Sequence, residues 1–301
     1  KTKDISKILF GNYNVKYKQI IEFENWDQIS NYIYGILKKS EVKKLVKELI
    51  PFPIKKINKI DNGINSKVFK IECIRKNYVC KFYPNNTKDK RNRLKTEALA
   101  LKTLKQIDCV PKIFTYNEEK NIAIFDLIEG KQISKVSNSH ILQSVEFIKK
   151  LKNLTLSQIN NLPNASESCL SACDIVNQIQ SRLYNIEKNL SPELKSFLDK
   201  KLIPVFENSK YWLQKKWPSK NLNLVLEKKH QILSPSDFGF HNSILRSNGK
   251  ICFIDFEYFG WDDPSKLIND FVWHPGMNLS EKHKEYWLKN SICAFSSDVN
   301  L

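Results

Sequence analysis

No apolar run in this 301-residue sequence approaches the roughly 20 residues needed to cross a bilayer, and its start, KTKDISKILFGNYN, has no secretory apolar region. Membrane insertion is therefore not expected, and a cytoplasmic location is the default. Internal repeats and low-complexity linkers are also missing, so the length suits one two-lobed domain or two small ones. The seven cysteines, at 73, 80, 109, 169, 173, 252 and 293, are odd in number and scattered through apolar runs. Reduced, buried thiols fit this better than a disulfide framework. Cys169 and Cys173 are spaced to share a helical face, but no His or second Cys pair lies near, which weighs against a metal site there. Beginning at Lys1 without Met and stopping after SSDVNL, the chain is compatible with an excised part of a longer protein.

What the chain has in excess is lysine. A formal net charge of +17 would ordinarily point to nucleic acid or an anionic surface as partner. The lysines are spread widely and accompany abundant Asn and Ile, a compositional bias, so a solvated surface is preferred over a nucleic-acid footprint. Between Asp237 and Asp270 the balance reverses, with six acids against Arg246, Lys250 and Lys266. Acidity is kept where a divalent cation would sit.

That acidic stretch carries the chemistry. Asp237 is followed by Asn242, then by the strand-like run Ile251-Cys252-Phe253-Ile254 ending on Asp255, with Asp263-Pro264 beyond. An Asp beside a hydroxyl can take its proton, and an Asn oxygen with a second Asp at a strand end can hold Mg²⁺ against a nucleoside triphosphate. Each motif alone is common in solvated loops and at buried strand ends; their joint order is the signal. It resembles the aminoglycoside phosphotransferase and choline kinase superfamily, whose fold is similar to that of protein kinases. The resemblance implies an α+β, two-lobed fold with a small β-rich N-terminal lobe and a larger α-rich C-terminal lobe. It also implies Asp237 as catalytic base, Asn242 and Asp255 as Mg²⁺ ligands, and Asp270 as a residue steadying the loop. One position departs from the pattern: where the family usually has a bracing His two residues before the base, this chain has Pro235.

Upstream, residues 1–50 read as an N-terminal helical extension packing on the small lobe or the end of a preceding domain. Trp26, Ile29, Ile33 and Ile36 recur at helical spacing. Val42, Leu45, Val46 and Leu49 do so again, with Ser40 as the expected cap and Pro51 as the stop. Residues 51–130 form the expected small nucleotide-binding lobe. Its short β-rich runs, KKINKI, KVFKIEC and YVCKFYP, enclose the turn Asp61-Asn62-Gly63-Ile64-Asn65-Ser66. Gly63, Asn65 and Ser66 could bring backbone N–H groups to phosphates; the same turn is also an ordinary hairpin.

Lys81 lies inside an apolar strand, where an ammonium needs a partner. In the kinase-like arrangement it reaches the α- and β-phosphates and is held by a Glu of the next helix. Glu97, the only carboxylate between Arg91 and Lys105, is the natural mate. The run 121–130 then reads as the last strand of the lobe and, by the resemblance, the hinge, where backbone groups of Asp126, Leu127 and Ile128 would contact adenine.

Residues 131–301, the large catalytic and acceptor-binding lobe, are helical in period. Ile141, Val145, Ile148 and Leu151 form one stripe, and Val176, Ile179, Leu183 and Ile186 another; both read as core. A helix opens at Ser191-Pro192-Glu193, with a kink expected at Pro204. A final helix is expected near Leu279 to Ala294.

The sequence thus reads as an ATP- and Mg²⁺-dependent small-molecule kinase with a hydroxyl acceptor that is sugar-like, aminoglycoside-like or an amino alcohol. No long segment ending in Ala-Pro-Glu is present to bind peptides. The run Ile-Asp-Phe-Glu-Tyr resembles the choline and ethanolamine kinase branch, in which Glu257, Tyr258, Trp261 and Trp273 could cage a cationic acceptor; Trp261 and Trp273 read equally well as core. The alternatives are a nucleotide-binding pseudokinase acting as a scaffold, supported by Pro235, and a basic nucleic-acid-binding module. Oligomeric state is not encoded in any pattern found.

Overall fold

A computed structural model of the chain describes residues 39–60, 66–84, 91–154, 162–186, 190–217 and 221–295. The chain divides into two compact units, 1–50 and 51–301. In the first, helix α1 spans Lys39–Leu49 and stops before Pro51, as expected. Ser40, the expected cap, falls within that range. The expected stripe from Trp26 to Ile36 lies outside the described residues.

The second unit begins with five strands, β1 (Ile54–Lys59), β2 (Lys67–Cys73), β3 (Asn77–Phe82), β4 (Ile113–Asn117) and β5 (Ile122–Asp126). They form one sheet in the order β1-β2-β3-β5-β4, antiparallel throughout. In β2 the alternation buries Phe69, Ile71 and Cys73 and turns the intervening residues outward. Strand β5 lies between β3 and β4, and Ile122 to Phe125 are all buried, so the period vanishes. Between β3 and β4 runs helix α2, Arg93–Thr103, capped by Asn92, whose Oδ1 accepts from the Lys95 N–H at 2.9 Å. Leu94, Ala98 and Leu101 are buried on one face, and Glu97 is buried with them.

Beyond β5 the chain is clipped to the second half. Lys131 N–H donates to the Leu245 carbonyl at 3.0 Å and Leu245 N–H returns the bond at 2.8 Å. A Cβ on Gly130 would stand 2.4 Å from that Leu245 oxygen, so only glycine permits the approach. Helix α3, Asn138–Lys152, is capped by Ser137 and buries the expected stripe Ile141, Val145, Ile148 and Leu151 together with Phe147.

Helix α4, Ala172–Ile186, departs from expectation: Val176, Ile179 and Leu183 are only half-buried, and Ile186 is 42% exposed. Amphipathic spacing sets which face is apolar but not how completely a neighbour covers it. Helix α5, Pro192–Phe197, opens under a Ser191 cap and passes through a π-helical turn, Leu198–Leu202, into α6, Ile203–Lys216. The expected irregularity is thus a widened turn just before Pro204, where the missing N–H is absorbed.

Four short strands complete the lobe: β6 (Ile232–Ser234) pairs with β9 (Gly260–Asp262), and β7 (Ser243–Leu245) with β8 (Ile251–Phe253). Their registers, Ser234 opposite Gly260 and Ser243 opposite Phe253, bring loop 235–242 beside loop 254–259. Helices α7 (Pro264–Trp273) and α8 (Glu281–Phe295) follow, with Phe271 stacked on Trp287 at 3.8 Å. A single apolar core runs from α2 and β5 through α3 to these strands and helices.

Candidate active site

Strand β3 delivers Lys81 to the junction of α2 and loop 254–259. Its Nζ donates to Glu97 Oε2 at 2.8 Å and to Asp255 Oδ1 at 2.6 Å, and lies 3.0 Å from Glu257 Oε2 without hydrogen-bond alignment. Burial opposes the ammonium charge, but the three carboxylates outweigh it and hold Lys81 well above the usual lysine range. Glu97 also accepts from the Tyr83 hydroxyl at 2.6 Å and from the Phe256 N–H at 3.2 Å, which fixes both of its oxygens. Burial pushes Glu97 up, with Lys81 acting against it. Arg93, in the first turn of α2, reaches Glu257 Oε1 at 2.7 Å. Three acids thus face two cations.

The surplus negative charge falls on Asp255, the most exposed of the three acids, with a side chain 36% accessible. Its φ of 68° is rare for a residue with a Cβ and marks a backbone held in place by its surroundings. One carboxylate oxygen of Glu97, Asp255 and Glu257 each lies within 4.8 Å of the others.

Loop 235–242 is tied to this cluster through Ile254, whose N–H donates to the Asn242 carbonyl at 2.9 Å. Asn242 spends its Nδ2 on the Asp237 carbonyl and on Asp237 Oδ2, both at 3.0 Å, and its Oδ1 accepts no hydrogen bond among the described residues. The Asn242 amide oxygen and the partly exposed Asp255 carboxylate are both oxygen donors of the kind Mg²⁺ takes.

Asp237 itself is held from three sides. Its Oδ1 contacts His241 Nε2 at 2.9 Å and His274 Nε2 at 3.1 Å, and its Oδ2 takes the Asn242 bond. The hydrogen bond from His241 leads in drawing its carboxyl below the usual range, and burial opposes it. The two imidazoles stack in parallel at 3.9 Å. Gly239 makes room for them: a Cβ there would stand 2.5 Å from Met277 Sδ and 2.8 Å from His241 Nδ1.

The remaining sequence-derived residues are placed as follows. Ser66 carries a buried Oγ with no hydrogen-bond partner among the described residues; Gly63 and Asn65 lie outside them. The Asp126 and Leu127 amides are taken by the carbonyls of Lys112 and Asn77 at 2.9 and 3.1 Å, while the Ile128 amide has no partner among the described residues. The Asp126 carboxylate pairs with Lys76 at 2.7 Å.

The four residues expected to cage an acceptor each have partners of their own. Glu257 is buried between Lys81 and Arg93. Tyr258 is faced by Arg91 and Arg93 at 4.9 and 5.2 Å, and Trp261 is a core residue covered by Lys228 at 3.7 Å. Trp273 is 69% exposed, with Lys284 over its ring at 4.7 Å. Each ring thus has a protein cation over it. Asp270, expected to steady the loop, instead accepts from Lys266 one turn back on its own helix.

Sequence reasoning missed His241, His274 and Arg93. His241 had a signal, since it falls four residues after Asp237 and next to Asn242. His274 had none, because its contact depends on where α7 ends.

No family model matches the chain, and no curated protein matches it. Solved structures do. The choline kinase LicA from Streptococcus pneumoniae superposes with a TM-score of 0.55 at 17% identity, covering 83% of this chain and 80% of that one. The streptomycin–ATP complex of APH(2")-IIa gives 0.57 at 17% identity, covering 87% and 85%. The macrolide 2'-phosphotransferase MphH from Brachybacterium faecium gives 0.54 at 12% identity, covering 85% and 83%. The chain therefore has the α+β fold shared by choline kinases and the aminoglycoside and macrolide phosphotransferases.

Proposed function

We propose that the protein is a kinase of small molecules, transferring the γ-phosphate of ATP to a hydroxyl of a sugar-like, aminoglycoside-like or amino-alcohol acceptor. The observation that carries this is the convergence on one strand pair of Lys81, held between Glu97 and Asp255, with the Asp237–Asn242 loop. The fold likeness to phosphotransferases supports it.

Asp237 accepts the hydroxyl proton as the acceptor oxygen bonds to the γ-phosphorus and the bond to the ADP oxygen breaks. A carboxylate with a lowered pKa is a weak base, so its larger role is to orient the hydroxyl for a loose transition state. Lys81 exchanges its contact with Asp255 for phosphate oxygens, and Glu97 keeps it aimed. Asn242 Oδ1 and Asp255 would hold Mg²⁺, which when bound neutralises charge on the phosphate oxygens. The Ile128 amide is available to an adenine nitrogen.

The test is transfer of label from γ-labelled ATP, with Mg²⁺, to choline, streptomycin, gentamicin or spectinomycin and to a fractionated small-molecule extract, with Asp237→Asn as control. Label in a small molecule that vanishes with the variant is the expected result. Absence of transfer to every acceptor tried and to the extract, despite Mg-ATP binding, would overturn the reading in favour of a nucleotide-binding scaffold.

A further inference from the structure

Pro235 offers no side-chain donor to the loop that carries Asp237, and the backbone there is unusual, with Ser236 at φ 69°. We propose that His241 and His274 are positioning residues that supply the missing brace, clamping one oxygen of Asp237 and leaving the other for the acceptor hydroxyl. The inference rests on the phosphotransfer reading for its consequence and on the geometry for its substance.

Both imidazoles present Nε2 to the same oxygen, at 2.9 and 3.1 Å. An ionised carboxylate only accepts hydrogen bonds, so each Nε2 must carry the proton. The far side of each ring agrees. Gly276 N–H donates to His274 Nδ1 at 3.1 Å, which requires a lone pair there. His241 Nδ1 is buried with no hydrogen-bond partner among the described residues, where a second proton would be an unsatisfied charge.

The two rings come from different elements. His241 sits in the turn 240–242, and His274 ends α7. The turn after α7 is fixed to the loop independently of the rings: Phe240 N–H donates to Met277 Sδ at 2.9 Å, and Met277 N–H to the His274 carbonyl at 3.1 Å. The parallel stack at 3.9 Å keeps the two donors in register. With Oδ1 taken twice and Oδ2 once by Asn242, one acceptor position remains, on Oδ2. The acceptor hydroxyl is therefore directed to that oxygen and approaches from the Asn242 side.

Two measurements test this. Long-range ¹H–¹⁵N correlation of the imidazoles, assigned with His241→Gln and His274→Gln, should show both rings as the Nε2–H tautomer, with both signals moving in Asp237→Ala. An Nδ1–H tautomer at either ring, or indifference to Asp237→Ala, overturns the clamp whether or not any acceptor is known. In the transfer assay, His274→Ala should lower kcat at least ~10-fold while leaving KM for ATP within ~2-fold. His274→Gln, whose amide N–H can stand in for Nε2–H, should restore most of the loss. Gln performing as badly as Ala would reduce the ring to packing and sink the proposal. If the wild type transfers nothing, the functional reading fails while the tautomer experiment still decides the clamp.

Discussion

Lys81 Nζ lies 2.6 Å from Asp255 Oδ1 across 174 positions of sequence, joining the sheet of the first half to the loop of the second. In this arrangement the strand lysine occupies the charge of the proposed metal ligand. On the proposed phosphotransfer reading, Mg-ATP binding would separate the pair, the phosphates taking the ammonium and the cation the carboxylate.

Removing the lysine exposes the cost of the acids around it. Lys81→Met leaves buried Glu97 and Glu257 facing Asp255 with Arg93 alone, and should destabilise the fold by about 3–5 kcal/mol in urea unfolding. Lys81→Met combined with Glu97→Leu should recover part of that loss, because two members of one network do not add. A fully additive double variant would contradict the network.

Arg93 and Arg91 both face Tyr258, yet they should not weigh equally. The Arg93–Glu257 side chains are 10% and 4% accessible, and those of Arg91–Glu167 34% and 41%. Arg93→Met should therefore cost about 3 kcal/mol, and Arg91→Met under about 1 kcal/mol. Equal midpoint shifts on thermal unfolding would show that burial is not what separates them.

Asp262 sets a pH dependence of stability. Its Oδ1 accepts from the Cys169 and Asp263 amides at 3.1 and 2.9 Å, while its buried Oδ2 has no hydrogen-bond partner among the described residues and Lys266 stands 3.7 Å away. Burial raises the carboxyl from 3.8 to about 6. A raised folded pKa contributes stability that is fully present below 3.8 and is lost as pH rises through about 6. Asp262→Asn should remove this slope, leaving the variant about 2–3 kcal/mol better relative to wild type above that window than below it. Parallel stability curves for the two proteins across the window would refute the shift.

The tryptophans separate core from surface. Trp261→Ala should cost about 3–5 kcal/mol through the cavity it leaves, whereas Trp273→Ala, at a site 69% exposed, should stay within about 0.5 kcal/mol. If Trp273→Ala raised KM for choline while sparing KM for ATP, a role for that ring in acceptor binding would return.

How much of this the sequence revealed depended on the range of each contact. The pairing of Lys81 with Glu97 was legible because a lysine in an apolar strand demands a partner and the next helix offers one carboxylate. Asp237, Asn242 and Asp255 were legible as an ordered set because the strands between them are short and leave little freedom of placement. Trp261 was ambiguous, since an aromatic beside acids has the same spacing whether it lines a cage or fills a core. The partial exposure of α4 was hidden for a related reason: its stripe specifies a face but not how completely that face is covered. His274 was invisible because nothing before the fold relates the end of α7 to a loop 37 positions earlier.

The clip between Lys131 and Leu245 gives the molecule a lever. Leu245 closes the strand that starts directly after Asn242, and Lys131 directly follows the link that leaves β5. Any rocking of the sheet about residues 127–130 would therefore pass through two reciprocal hydrogen bonds to a strand whose first neighbour is Asn242, the amide beside Asp237. On the proposed reading, closure over a nucleotide base near Ile128 and the setting of Asn242 would be mechanically one event, since Leu245 stands three residues after Asn242.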